Sequence, residues 1–324
     1  MRALLDALGD PQRLYPSIHV VGTNGKSTAA RTIAGLLRAD DLDVGVYTSP
    51  HVAGWHERLD TDPDGFARAV GRVRPEAERQ GATQFEALTA AALADFAARG
   101  VDVAVVEAGL GGRLDATNVV DAPVVHLTNV SLEHTDVLGD TREQIAREKL
   151  AVVKPGAAVV LGETEWEPFA WERGARAVVR GGAREVAETF AGHVIDAEPE
   201  VSLPGRFERR GNEVWDGAHT PEGVEWLLAR LPPGEWVVLA SVLADKDVDG
   251  MLGQLARAGR TLVATRSTNA RALDEKELGR RGEPYFERVE TIADPAAALA
   301  RARELGPVLA TGSLYLLADL YASS

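Results

Sequence analysis

Residues 17–37 read SIHVVGTNGKSTAARTIAGLL. The run from Ser17 to Val21 is β-branched and nearly continuous, the pattern of a strand covered on both faces. From Lys26 to about Ala39 the apolar positions take helical spacing instead. Between them lies a short loop with glycines at 22 and 25. Strand, glycine loop, lysine–serine, helix is the layout of a phosphate-binding loop. Backbone N–H groups and the helix N-terminus face the anion, and the lysine reaches its terminal phosphates. The full pattern G-x-x-x-x-G-K-[ST] is met at Gly25, Lys26 and Ser27, whereas Val20 stands at the first glycine position. The plain alternative is a glycine turn with a solvated lysine; the strand before it and the helix after it favour a nucleotide. Gly22, Thr23, Asn24, Gly25, Lys26, Ser27 and Thr28 are therefore the candidate nucleotide-binding residues.

The same rhythm continues along the chain. Apolar runs begin near Val44, Val101, Pro123 and Ala157, with helical patterns at about 64–80, 85–99 and 142–152. It resumes at Glu235, Arg260 and Gly306, each run preceding a helical pattern. Strands alternating with helices predict an α/β fold with a mostly parallel sheet. Residues 163–211 are poorly patterned and carry Pro, Gly and charge, so the domain boundary is placed there. The expected organisation is an N-terminal mononucleotide-binding domain, 1–203, and a smaller Rossmann-like α/β domain, 204–324. Their active site is expected in the cleft between them, at carboxyl ends of strands.

Composition narrows the function. The chain has 324 residues, 49 acidic against 35 basic, and a net charge of -14. A surface that acidic repels a polyanion, so nucleic acid is not an expected partner. The absence of cysteine excludes disulfides, thiolate metal sites and cysteine nucleophiles. No apolar stretch is long enough to span a bilayer and the N-terminus lacks a signal-peptide pattern, so no membrane partner and a cytoplasmic location are expected.

Two further polar clusters follow apolar strands. VVEAGLGGRLDATN (105–118) puts Glu107 at a strand's carboxyl end, where a carboxylate beside a phosphate loop suits magnesium; a helix cap or a solvated acid is the alternative. TNVSLEHTDVLGDTREQIAREKL (128–150) carries His134 in a loop and Lys149 on the next helix.

Together with YTSPH (47–51), TQFEA (83–87), PGRFE (204–208), WDGAH (215–219) and ATGSLYLLADL (310–320), these stretches resemble the folylpolyglutamate synthase/dihydrofolate synthase family of the Mur ligase superfamily. The resemblance implies a two-domain Mur-ligase fold and an ATP-dependent carboxylate–amine ligase with ATP and Mg2+ as cofactors. It would add L-glutamate to dihydropteroate or a folate through an acyl phosphate, with small-molecule substrates as partners and a monomeric chain. By the family's pattern the metal ligands are Ser49, Glu107 and His134. Lys149 matches a lysine the family carries as a carbamate, and Lys26, Lys149 and His219 are the implied catalytic residues. Arg206 and Asp216 match nucleotide contacts. Thr83, Phe85, Glu86, Arg113, Leu114, Asp115 and Ala116 match positions near the pterin, with loop 50–58 beside them. The chain departs from the pattern at Ser27, directly after the lysine, at Glu133 in place of aspartate, and at Thr220 in place of asparagine. The region between 163 and 201 is also short and lacks an H-Q-x-x-N-A helix. These departures keep two alternatives open: a ligase acting on another carboxylate, or a non-catalytic nucleotide- or folate-binding protein.

Overall fold

The run at 17–21 forms strand β1 (Ser17–Val21), buried along its whole length. It is buried because it lies inside a sheet of order β2-β3-β1-β4-β5-β6. The other strands are β2 (Val44–Tyr47), β3 (Val103–Glu107), β4 (Val124–Leu127), β5 (Ala158–Leu161) and β6 (Ala177–Arg180). Every pairing is parallel. The computed structural model describes residues 1–199, 201 and 203–323. They divide into two compact units, Met1–His51 with Trp55–Val201, and Val52–Gly54 with Ser202–Ser324.

Helices of the first unit are α1 (Arg2–Ala7), α2 (Lys26–Ala39), α3 (Pro63–Gln80), α4 (Gln84–Arg99), α5 (Thr135–Leu138), α6 (Arg142–Leu150), α7 (Glu167–Glu172) and α8 (Ala183–Ala191). Strand side chains alternate between faces. Ile18, Val20, Val105 and Val160 pack under Ile33 and Leu37 of α2 and Val186 of α8. Val21, Val106, Val125 and Leu127 pack on the opposite face against α4 and α6. Because the strands run parallel, Gly22, Ala108 and Thr128 all leave the sheet at one edge, from the three adjacent central strands β1, β3 and β4.

The poorly patterned stretch is more ordered than its sequence suggests. It supplies α7, the edge strand β6 and α8. Strand β6 is four residues with an arginine before it and an arginine at its end, half-buried at 177–179 and exposed at Arg180, so it never makes the long apolar run that marks the central strands.

The second unit has the sheet order β11-β10-β9-β12-β8-β7. Its strands are β7 (Glu208–Arg210), β8 (Glu213–Trp215), β9 (Val237–Ala240), β10 (Thr261–Ala264), β11 (Arg288–Thr291) and β12 (Val308–Thr311). All neighbours are parallel except the β7–β8 pair. Helices α9 (Pro221–Leu228), α10 (Val248–Leu255), α11 (Glu275–Gly282), α12 (Pro295–Leu305) and α13 (Leu314–Ala322) cover it. Val52 belongs to this unit's core with Trp215, Leu316 and Leu317, although it comes from the loop at 50–58. Among the described residues no helix is long and apolar enough to cross a membrane.

Candidate active site

The loop after β1 is shaped by two glycines and held by the segment after β4. Gly22 has φ 149° and Gly25 φ 78°, the latter as N-cap of α2. The Thr23 N–H donates to Asn129 O (3.0 Å) and the Asn24 N–H to Asn129 Oδ1 (2.9 Å). Thr128 Oγ1 donates to Asn24 O (2.8 Å), and the Ser131 N–H donates to Thr23 Oγ1 (3.0 Å). Thr128, Asn129 and Ser131 thus form a second wall of the loop that the motif did not disclose. Lys26 Nζ folds back onto Gly22 O (3.0 Å) and Thr23 O (2.9 Å), placing its charge at the mouth of the loop. Thr28 is exposed on the first turn of α2.

Glu107 ends β3 at 1% exposure. Ser27 Oγ donates to its Oε1 (3.0 Å) and the Ser49 N–H to its Oε2 (2.9 Å). A carboxylate and two serines therefore gather at the mouth of the phosphate loop. Such oxygen donors fit magnesium, which takes one or two carboxylates and completes its shell with phosphate oxygens and water. Among the described residues no three His, Cys, Asp or Glu side chains form an all-protein metal cage, and magnesium needs none.

His134 makes no hydrogen bond to this group among the described residues. It caps α5 in a left-handed conformation (φ 44°), and its exposed imidazole has no hydrogen bond or ion pair among the described residues. Its neighbour Glu133 turns inward instead. Lys149 is 1% exposed, and its Nζ donates to Glu133 Oε1 (2.7 Å) and Gly22 O (2.8 Å). Burial pulls the Lys149 pKa down, with Glu133 opposing that shift. Lys149 is thus part of the loop's floor.

Residues 20–202 match the Mur ligase middle domain, and 205–314 the Mur ligase glutamate ligase domain. The folylpolyglutamate synthase of Lacticaseibacillus casei is 33% identical over 97% of this chain and 91% of its own. This chain belongs to the folylpolyglutamate synthase family. Its relatives are Mur-type ligases that use ATP to form an amide bond to glutamate. The structure of Mycobacterium tuberculosis folylpolyglutamate synthase complexed with ADP and AMPPCP superposes with TM-score 0.86 at 30% identity, covering 99% of this chain and 94% of that one. A probable bifunctional folylpolyglutamate synthase/dihydropteroate synthase of Haloferax volcanii is 32% identical over 98% of this chain, which spans only 47% of that longer protein.

Within this family member the positions matched to the pterin divide. Phe85 lies tilted on Tyr47, ring centroids 6.1 Å apart. It presses so close to Gly109 that a Cβ there would fall 2.5 Å from Phe85 Cζ. Thr83 and Glu86 instead form a reciprocal capping box at the N-terminus of α4. The Thr83 N–H donates to Glu86 Oε2 (2.9 Å), and Glu86 Oε1 also accepts from the Met1 amine (2.7 Å). Arg113 Nε pairs with Glu148 Oε2 (2.9 Å), Leu114 is 85% exposed, and Ala116 is half-buried. Asp115 turns its carboxylate onto backbone N–H groups of its own loop, at Gly109 (3.0 Å) and Leu110 (2.9 Å).

The second unit gathers its three predicted residues around Gly217. The buried Asp216 carboxylate accepts from the Phe207 N–H (2.7 Å) and the Ala218 N–H (2.8 Å), and burial pushes its pKa up. His219 Nδ1–H donates to Gly217 O (2.8 Å), which leaves Nε2 as the basic nitrogen, and burial keeps the ring neutral. A Cβ on Gly217 would stand 3.1 Å from Arg206 Nη1.

Proposed function

We propose that this chain is an ATP-dependent ligase that joins L-glutamate to dihydropteroate or to a folate already carrying glutamate. The observation that carries this reading is the Ser27–Glu107 hydrogen bond (3.0 Å), which ties the phosphate loop to the one carboxylate leaving the adjacent strand. A carboxylate is a poor acyl donor, so its oxygen first attacks the γ-phosphorus of ATP and ADP departs. The amino group of glutamate then attacks the acyl carbon and inorganic phosphate leaves, giving the amide. Catalysis of both steps rests on positioning and on neutralising charge on the transferred phosphoryl group. Magnesium would supply charge neutralisation at the phosphate oxygens, held by Glu107 and the serines at 27 and 49.

Lys26 exchanges its two loop carbonyls for phosphate oxygens, and the N–H groups of 23–27 line the anion. Lys149 acts from below, its amine against the Gly22 carbonyl. Burial, the larger influence on this amine, raises the neutral fraction, the form that adds carbon dioxide to give the carbamate. Arg206, Asp216 and His219 serve the second unit's share of nucleotide and glutamate handling.

The test is phosphate release by the purified chain with MgATP. Release should require both a pterin or folate acid and L-glutamate, and Lys26→Ala should abolish it. Nucleotide binding without release on any pterin acid would overturn the ligase reading, while release confined to other carboxylic acids would overturn the acceptor.

A further inference from the structure

His19 is the one titratable side chain on β1, at 0% exposure between Val106 of β3 and Val125 of β4. An imidazole in that position is costly, and its Nδ1 has no partner among the described residues; a buried unsatisfied group of this kind needs a reason. Its other nitrogen supplies one. His19 Nε2 lies 2.8 Å from Oγ1 of Thr117, itself 0% exposed. Thr117 has a single hydroxyl proton and spends it on Asp115 Oδ1, in a short hydrogen bond. Toward His19 the hydroxyl is therefore an acceptor, which fixes the imidazole as the Nε2–H tautomer. Asp115 Oδ1 also accepts from the Thr117 N–H (2.9 Å), and Oδ2 accepts from the N–H groups of Gly109 and Leu110.

The result is a chain of hydrogen bonds from the centre of the sheet to the turn that follows Glu107, with the donors on both sides converging on the Asp115 carboxylate. That turn sets Gly109 against Phe85, and Phe85 packs on Tyr47. We propose that His19 and Thr117 are positioning residues for the carboxylate substrate: through Asp115 they fix the Gly109–Leu110 turn and so the aromatic wall at Phe85. The inference rests on the ligase reading for its substrate but not for its hydrogen-bond relay, and the experiment separates the two.

The full chain would be compared as wild type, His19→Leu, His19→Gln, Thr117→Val and Thr117→Ser. Glutamine keeps an N–H near the Nε2 position and serine keeps the hydroxyl, so these two restore the relay. In the absence of substrate, amide exchange at Gly109 and Leu110 should quicken by about tenfold in Thr117→Val and His19→Leu, the equivalent of one lost hydrogen bond. It should return toward wild type in the two conservative variants. In turnover, KM for the pterin acid should rise by a similar factor while KM for ATP stays within about twofold. Exchange in Thr117→Val that matches wild type, or that quickens equally throughout the first unit, overturns the proposal. So does a KM for ATP that rises with that for the acid. A wild type that turns over no pterin acid would remove the ligase reading alone, because the exchange measurement needs no substrate.

Discussion

At Gly22 a single missing Cβ decides whether the phosphate loop can form. With φ at 149° the position is unfavourable for any L side chain, and a Cβ would fall 1.9 Å from Thr128 Oγ1. The same residue's carbonyl receives both Lys26 and Lys149. Gly22→Ala should therefore displace the loop, costing about 1–3 kcal/mol of stability and at least ~10-fold in affinity for a non-hydrolysable ATP analogue, read by titration calorimetry. Adding Thr128→Ala removes the nearest atom but leaves the backbone strain, so only part of the loss should return. An alanine variant that binds the analogue as wild type does would show that the nucleotide sits elsewhere. Beneath this loop, Glu133 holds the buried Lys149 ammonium at 2.7 Å. Glu133→Ala leaves that charge without its anionic partner and should lower the urea midpoint, by an amount on the order of 3 kcal/mol if the amine stays charged. A smaller loss that vanishes at high pH would report that the amine has shed its proton instead.

Helix α4 gives a capping role to Thr83 and Glu86, residues that the family resemblance also places near the pterin. Thr83 caps it, accepting from the Glu86 N–H, and Glu86 returns a bond to the Thr83 N–H. Thr83→Ala should cost about 1 kcal/mol in urea unfolding and leave KM for the pterin acid unchanged. A raised KM at unchanged stability would return Thr83 to the substrate site. Elements of this kind were legible to the degree that they are buried on both faces. Strands β1, β3, β4 and β5 read as apolar runs because helices cover both sides of them, and α2 was placed by the switch to helical spacing at Lys26. Strand β6 was not legible because an edge strand of four residues is only partly buried, and α8 was hidden behind the glycines at 181 and 182. Within the site, Gly22–Ser27 and Glu107 stood out because loop chemistry and strand ends are local properties. The inward turn of Glu133 onto Lys149, and the His19–Thr117 bond across 98 residues, depend on packing that no local pattern records.

For the whole molecule the informative variable is pH, because the first unit buries two neutral histidines in neighbouring strands. Burial holds His19 at about 4, below its ordinary value near 6.5, with Asp115 opposing and Lys154 reinforcing the shift. His126 on β4 is also lowered by burial, and its Nδ1–H donates to Val160 O (3.0 Å). In the unfolded chain both rings titrate near 6.5. Between that pH and the folded values the unfolded state binds more protons, so stability rises with pH there and is lost as pH falls from about 6.5 toward 4. For His19 alone the loss reaches about 2 kcal/mol by pH 5. Carboxylates also begin to protonate toward the lower end of that window, so the contribution of His19 is read as the difference in slope between wild type and a variant at that one position. Amide exchange of the best-protected N–H groups in β1 and β4 reads the opening free energy of this unit directly. It should fall between pH 7 and pH 5 after correction for the intrinsic exchange rate. His19→Gln keeps a donor for Thr117 but cannot take up a proton, so it should flatten the pH dependence by roughly that same 2 kcal/mol while leaving the loop at Gly109 protected. A glutamine variant with the wild-type slope would mean that His19 is not the group whose protonation opens the sheet, and the tautomer fixed through Thr117 would lose its energetic consequence.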